Sequence, residues 1–461
     1  MRFEARGRGA VRGTKAFAGE RVLVVGLGVA GRAAARVLAE EGATVRVTEE
    51  RPEAAGADEI RGFGVEVLTG GHEPSHLDGV TAVVASPGVP EGAPVLRWAE
   101  QRGLPIWSEL DVGARLCRAP YVAVTGTNGK STTTVMVAHM MRAAGLDAVA
   151  CGNIGHAFSL AAREGHAALA VEASSFQLRF HHWLHPKVSV LLNVAPDHVD
   201  WHGSFERYAE SKARVYELQD EDDVHIGNAD DGRGAKISAA APCRVAWFRM
   251  GSPGEGEVGF VGRELVARID GEAPLGVPGS DAAGFRADAA AAAAASLSFG
   301  LDPGAVAEGL RRMRPLPHRG EEVARVGSVA FLDDSKATNV HAALHALAGR
   351  RGVVLIAGGM AKGADLSPLA EATPALVGVV AMGEAAPEIA MLFEGRVPVS
   401  KAGSIEEAVR EAFELAPPAG GTVLLAPACA SWDMFRDYVE RGERFAEAAR
   451  RLAEEDADGS R

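Results

Sequence analysis

Ala123-Val-Thr-Gly-Thr-Asn-Gly-Lys-Ser-Thr132 is the stretch on which the reading of this chain turns. An apolar run, Tyr121 to Val124, leads into Gly126 and Gly129, then Lys130, Ser131 and Thr132, and a helix-compatible segment from Thr133 to Ala144 follows. Strand, glycine loop, lysine, hydroxyl and helix in that order are what a triphosphate-binding loop needs. Glycines let backbone N–H groups turn inward on phosphates, and the helix N-terminus adds partial positive charge. The lysine reaches the outer phosphates, and a Ser or Thr hydroxyl ligates Mg²⁺. The loop is shorter than the usual G-x-x-x-x-G-K-[ST] pattern, because Val124 stands where the first glycine would be. A plain Gly/Asn-rich turn is the competing reading, and the Gly-Lys-Ser-Thr run in this context outweighs it. ATP is the expected nucleotide.

On either side of this loop, apolar strands alternate with helical stretches, which implies α/β architecture with parallel sheets. Upstream, Arg21 to Val25 leads into Gly26-Leu-Gly-Val-Ala-Gly31 and a helix to Glu41. Strand-like runs follow at Thr44 to Val47, Val65 to Leu68 and Val80 to Ala85. Downstream come Ala168 to Val171, Val188 to Leu192 and Val224 to Ile226, then an Ala-rich tract, Ala287 to Ala295, suited to a buried helix. Prolines and basic residues around Arg314-Pro-Leu-Pro-His-Arg319 mark a boundary. Beyond it the alternation resumes at Val329 to Leu332, Val353 to Ala357, Val377 to Ala381 and Val423 to Ala426. The expected division is a disordered leader at 1–17, a first domain at 18–117, a central domain at 118–315 and a third at 316–461.

Composition narrows the function. A chain of 461 residues with net charge −13 disfavours nucleic acid as a partner, so any polyanion it binds must meet locally concentrated positive charge. Cys117, Cys151, Cys243 and Cys429 are far apart and form no C-x-x-C pair, which fits a reducing cytoplasm and argues against a structural zinc site. No apolar run approaches membrane-spanning length, and the Arg-rich start, Met1 to Lys15, lacks the apolar core of a signal peptide.

Several polar motifs sit just beyond strand ends, where parallel sheets bind ligands. Gly26-x-Gly28-x-x-Gly31, with acidic Glu49 about 20 residues on, taken alone suggests a dinucleotide and an oxidoreductase. The same turn accepts any diphosphate, or serves only to pack helix on strand. Glu172, closing the strand before Ala-Ser-Ser-Phe-Gln-Leu178, is the candidate carboxylate for Mg²⁺. Asn193-Val-Ala-Pro-Asp-His-Val-Asp-Trp-His202 carries Asp197, His198, Asp200 and His202, any of which could be a cap or a surface histidine. Four in such close succession favour a second metal- or phosphate-facing site. In the third segment, Leu332-Asp-Asp-Ser-Lys-Ala-Thr-Asn339, Gly358-Gly-Met-Ala-Lys-Gly-Ala-Asp365 and Pro427-Ala-Cys-Ala-Ser-Trp-Asp433 each follow a strand. Together at one sheet edge they would make a Lys- and Ser-rich site for a small anion.

As an ordered set these motifs resemble the Mur ligase family of peptidoglycan synthesis. The pieces are Gly-Thr-Asn-Gly-Lys-Ser-Thr (126–132), Cys-Gly-Asn-Ile-Gly (151–155), Glu-Ala-Ser-Ser-Phe-Gln-Leu (172–178), Asn-x-x-x-Asp-His-x-Asp (193–200), Leu-Pro-His-Arg (316–319), Asp-Ser-Lys-Ala-Thr-Asn (334–339), Gly-Gly-x-x-Lys-Gly-Ala-Asp (358–365) and Ala-Pro-Ala-Cys-Ala-Ser (426–431). The resemblance covers nearly the whole chain after the leader. It implies three domains: N-terminal Rossmann-like, central P-loop ATPase-type and C-terminal Rossmann-like. It also implies a cytoplasmic, monomeric amide ligase that adds D-glutamate to UDP-N-acetylmuramoyl-L-alanine. ATP would phosphorylate the alanyl carboxylate, and the amine of D-glutamate would displace phosphate.

Residue by residue, the resemblance places ATP on Gly126, Thr127, Asn128, Gly129, Lys130, Ser131 and Thr132, with Arg319 and Asp334. Mg²⁺, two ions in all, falls to Ser131, Glu172, His198 and Lys212, the last being the family lysine that becomes an N-carboxylate. The UDP-substrate falls to Val29, Ala30, Glu49, Glu50, Arg51, Ser86 and Asn153. D-glutamate falls to Lys336, Thr338, Lys362, Ser431 and Tyr438. Lys130, His198, Lys212, Lys336 and Lys362 carry the catalytic roles. One departure stands out: where the family has His-Asn-x-x-Asn around adenine, this chain has Gly284-Phe-Arg-Ala-Asp288. Phe285 could stack on the base instead. Rival readings are a sister or folylpolyglutamate ligase and an NAD-dependent oxidoreductase. The first is disfavoured by the Asp-Ser-Lys-Ala-Thr-Asn and Ala-Cys-Ala-Ser-Trp-Asp segments. The second leaves Lys130, Glu172 and Lys362 unexplained. A non-catalytic nucleotide sensor would have lost Lys130 or Glu172.

Overall fold

The computed structural model describes residues 15–417 and 419–457. Most of the expected leader lies outside the described residues. Phe17, however, assigned to it from sequence, is fully buried and packs with Trp107 and the Val22–Val24 strand. The chain divides into two compact units. One takes in the chain up to Val194, Trp201–Gly279 and Ala287–Met313. The other takes in Ala195–Asp200, Ser280–Arg286 and the chain from Arg314.

The first unit contains two sheets. The N-terminal one is all-parallel, in the order Glu66–Thr69, Thr44–Glu49, Arg21–Val25, Ala82–Ala85, Ile106–Trp107. Strand order reverses at Arg21–Val25, which makes its C-terminal end a topological switch point. The second sheet has nine strands. Its centre is Tyr121–Thr125, buried throughout and flanked by Ala168–Glu172 and Val188–Leu191, both parallel to it. Its far edge continues as an antiparallel meander, Glu257–Val261, Glu264–Ala267 and Ala273–Gly276, which the sequence reading did not separate out. The Ala-rich tract lies in the helix Ala283–Ser298, with Ala289 to Ala295 wholly buried, as expected. Methyl side chains allow the close approach that this burial requires.

The second unit is built on six strands in the order Glu321–Val326, Val329–Asp333, Gly421–Ala428, Val353–Gly358, Leu376–Met382, Val399–Ala402. All are parallel except the first. Val329–Asp333, Gly421–Ala428 and Val353–Gly358 are neighbours, so the three polar motifs that follow them leave the same edge of the same sheet.

Candidate active site

The phosphate loop is held from both sides. Its helix begins at Lys130 rather than Thr133, because Gly129 adopts a left-handed φ of 87° and turns the chain into the helix there. A side chain at Gly129 would also collide with the carboxylate of Asp288. Asn193 clamps the loop: its Oδ1 accepts from Asn128 N at 2.9 Å and its Nδ2 donates to Asn128 O at 3.1 Å, while Thr127 N donates to Asn193 O at 2.9 Å. Lys130 Nζ donates to the carbonyls of Gly126 and Thr127, each at 2.9 Å. Lys212, buried in a helix that passes the loop, donates to the same Gly126 carbonyl at 2.6 Å. Its ammonium lies 4.5 Å over the ring of Tyr208, whose hydroxyl donates to Thr127 Oγ1 at 3.0 Å. Asn193 opens the 193–200 motif quoted from the sequence, whereas Tyr208 was not singled out there.

Glu172 pairs in register with Val124, which brings its carboxylate to the strand end where the loop begins. It is 2% exposed; Oε1 accepts from Asn153 Nδ2 at 3.0 Å, and Oε2 is buried with no hydrogen-bond partner among the described residues. The same holds for the buried hydroxyls of Thr125, Thr132 and Thr133 around the loop. Unanswered carboxylate and hydroxyl oxygens beside a phosphate loop are a hard donor set, which suits Mg²⁺.

The other expected metal residues distribute differently. His198 lies in the second unit with a left-handed φ of 51°, its N–H donating to Asp197 Oδ1 at 3.0 Å. Asp197 Oδ2 accepts from Asn339 at 3.0 Å. His202 lies in the first unit and is buried, its Nε2 3.0 Å from Ser175 Oγ. Among the described residues, His185, Asp220 and Asp223 are grouped closely enough for a metal, but His185 Nε2 already pairs with Asp223 Oδ2 at 2.7 Å.

The residues expected to meet the UDP-substrate line one cavity of about 1140 Å³ at the switch point of the first sheet: Val29, Ala30, Glu49, Glu50, Arg51, Ser86 and Asn153. Gly31 has room only for hydrogen, since a Cβ there would overlap the Gly26 carbonyl and approach Ser86 Oγ to 2.5 Å. Glu49 is spent on the turn itself. Its Oε2 accepts from Leu27 N at 2.7 Å and its Oε1 from Arg51 Nε at 2.9 Å. Burial works to raise its pKa, but Arg51 and the backbone N–H groups of Leu27 and Arg51 prevail and hold it at about 2. A dinucleotide reading would need that carboxylate facing a ribose. Gln177, from the 172–178 motif, also lines the cavity, as does Trp98, which nothing in its local sequence marks.

In the second unit, two of the three polar loops, those at 334–339 and 426–431, are joined by the helix Tyr438–Ala457. Arg441 is 1% exposed; its guanidinium donates to Ser335 Oγ at 2.9 Å, Ser335 O at 2.8 Å and Cys429 O at 3.1 Å. Burial lowers its pKa to about 10. Ser335 Oγ in turn donates to Tyr438 O at 2.8 Å. His318 Nδ1 lies 2.6 Å from Asp333 Oδ2. Burial pushes the neighbouring Asp334 carboxyl up to about 7 in spite of Arg319. Lys336 Nζ lies 3.7 Å over the Tyr438 ring and Lys362 Nζ 4.2 Å over that of Trp432. Five described non-glycine residues have left-handed φ, and four of them, His198, His318, Lys362 and Ala428, are in candidate-site segments of this unit. Strain concentrated this way is what functional sites display. Phe285, which stands in the stretch that departs from the family pattern, is buried at 6% exposure.

Residues 20–108 match the family model described as Mur ligase MurD-like, N-terminal domain, and residues 124–256 match Mur ligase middle domain. The chain is 42% identical over 456 residues to the UDP-N-acetylmuramoylalanine–D-glutamate ligase of Frankia casuarinae, covering 94% of each. The chain belongs to the Mur ligase family. The Streptomyces avermitilis ligase of the same name is 41% identical to this Mur ligase, over 94% of the chain and 98% of the relative. Solved structures share the fold: MurF ligase of Thermotoga maritima in complex with ADP has a TM-score of 0.60 at 17% identity, covering 89% of this chain and 95% of that one. UDP-N-acetylmuramate–alanine ligase of the same organism has a TM-score of 0.57 at 19% identity, covering 94% and 99%. Mur ligases use ATP, typically with Mg²⁺, which agrees with the loop and carboxylate described above.

Proposed function

We propose that this Mur ligase uses ATP to join D-glutamate to the alanyl carboxylate of UDP-N-acetylmuramoyl-L-alanine, acting as a cytoplasmic monomer. The observation that carries this reading is the 42% identity, over 94% of both chains, to a relative named for that reaction. The intact loop, Glu172 and the three polar motifs support it. The boundaries we assign to the three domains are 18–117, 118–315 and 316–461.

Phosphoryl transfer between anions depends above all on positioned positive charge. Gly126 to Thr132 cradle the ATP phosphates, with Lys130 leaving its loop carbonyls for the outer phosphates. Arg319 and Asp334 are further ATP residues. Mg²⁺ would be held by Ser131, Glu172, His198 and Lys212 as its N-carboxylate, two ions in all, and supplies charge neutralisation when bound. The UDP end is taken by Val29, Ala30, Ser86 and Asn153, with Glu49 and Arg51 shaping the turn. The alanyl carboxylate takes the γ-phosphoryl group and ADP leaves; the amine of D-glutamate then attacks the acyl carbon, the acyl C–O bond breaks, and inorganic phosphate and a proton are released. Lys336, Thr338, Lys362, Ser431 and Tyr438 receive D-glutamate, the lysines meeting its carboxylates.

Phosphate release with UDP-N-acetylmuramoyl-L-alanine and ATP, comparing D-Glu with L-Glu, L-Lys and glycine, tests the assignment. Release that ignores D-Glu would sink it. Lys130→Ala should abolish turnover while leaving UDP-substrate binding intact.

A further inference from the structure

Trp432 is 61% exposed, in the loop directly after Ser431. An indole left this far in water contributes little to folding, since its apolar area is not removed from solvent. One face of it is nevertheless in use: Lys362 Nζ stands 4.2 Å over the ring centroid. Lys362 reaches that position from a left-handed backbone with φ of 53°, a strained conformation that persists only where the surroundings impose it. They do impose it. Met360 N donates to Ala430 O at 2.9 Å and Ala430 N to Met360 O at 3.0 Å, an isolated bridge that ties the two loops together two residues before each of the partners. A Cβ on Gly359 would collide with the Ala430 carbonyl, so the bridge depends on glycine there. Among the described residues Lys362 makes no ion pair.

We propose that Trp432 is a positioning and specificity residue for the incoming amino acid: its indole holds the Lys362 ammonium in place without neutralising it. A carboxylate partner would fix the lysine equally well but would have to be displaced by an anionic substrate. A ring face fixes it through the quadrupole and leaves the charge available to a carboxylate. An ammonium group held this way suits an amino acid that brings a carboxylate to it. The inference rests on the reading above that Lys362 receives the amino acid.

The test is steady-state phosphate release by wild type, Trp432→Ala, Trp432→Phe, Lys362→Ala and the Trp432→Ala/Lys362→Ala double variant, with ATP and UDP-substrate saturating. Trp432→Ala should raise the KM for D-glutamate about three- to thirtyfold. Its kcat and its KM for ATP should stay within twofold. Trp432→Phe should recover most of the loss, because a ring face is retained. In the double variant Trp432→Ala should add almost nothing to Lys362→Ala. An unchanged KM in Trp432→Ala, a Phe variant as impaired as the Ala variant, or fully additive losses would each overturn the proposal while leaving the ligase reading in place. No D-glutamate-dependent release by the wild type would overturn both.

Discussion

Replacing Glu172 by Gln separates the stability of the site from its chemistry. Glu172 keeps one oxygen on Asn153 and the other buried with no hydrogen-bond partner among the described residues. An unanswered buried polar group costs about 1–3 kcal/mol, and a charged one more. Gln preserves the shape, and its carbonyl retains the Asn153 bond, but the unanswered atom becomes a neutral amide. The expected outcome without metal or nucleotide is therefore a gain of about 1 kcal/mol in the first unit, the difference between stranding a charge and stranding an amide. In a urea titration the midpoint should rise with the slope unchanged. Adding Mg²⁺ and nucleotide should reverse the order, since only the wild type offers an anionic ligand. At a hundred times Kd that linkage amounts to about 2.7 kcal/mol. Phosphate release should fall at least about a hundredfold, as when one charge-stabilising group is removed from an active site. A variant that is less stable than wild type without metal, yet turns over normally, would refute the reasoning at both ends.

Three further outcomes are expected. Gly31→Ala forces a Cβ against the Gly26 carbonyl and Ser86. It should cost about 1–3 kcal/mol of stability and weaken UDP binding at least tenfold by titration calorimetry, whereas unchanged affinity would remove this turn from the UDP site. Arg441→Met strands three acceptors, Ser335 Oγ, Ser335 O and Cys429 O, and should lower the urea stability of the second unit by about 3–5 kcal/mol. Asp334 has a folded-state pKa raised to about 7 from an ordinary 3.8, so the fold binds its proton more tightly than the unfolded chain does. Stability should then decline as pH rises between those values and level off above 7. Asp334→Asn should flatten that part of the profile in melts at pH 4 to 8, and an identical slope in both proteins would refute the assignment.

What was legible in the sequence was whatever local pattern alone determines. A strand that ends on an isolated carboxylate, as at Glu172, declares both its direction and the side chain at its tip. Three strand-then-polar motifs in one segment implied one sheet edge, and Val329–Asp333, Gly421–Ala428 and Val353–Gly358 do lie side by side. The start of the phosphate-loop helix was read three residues late, because Thr132, Thr133 and Thr134 are β-branched and weaken the helix signal. The left-handed cap at Gly129 overrides them, and Thr134 Oγ1 settles on the Lys130 carbonyl at 2.8 Å. Phe17 was lost among arginines, a single aromatic whose burial depends on Trp107 ninety positions away. Tyr208 and Arg441, and the clamp that Asn193 makes on Asn128, were invisible for the same reason: each acts on a loop distant in sequence, through bonds that exist only once the sheets have formed.

The mode of charge placement connects the two units. A chain with net charge −13 that binds polyanions must hold its cations where ligands need them. Ion pairing would hold them, but each internal carboxylate would compete with the ligand it prepares for. Here Lys130 and Lys212 both donate to the Gly126 carbonyl, and Lys336 and Lys362 rest on the faces of Tyr438 and Trp432. A peptide dipole and a π quadrupole orient an ammonium group while leaving its net charge intact. Arg51, clamped on Glu49, is the contrast: there the pair builds the turn at the wall of the cavity. Lys362, assigned to the incoming amino acid, is thus set on a neutral support, whereas Arg51, which shapes the turn, is set on a carboxylate.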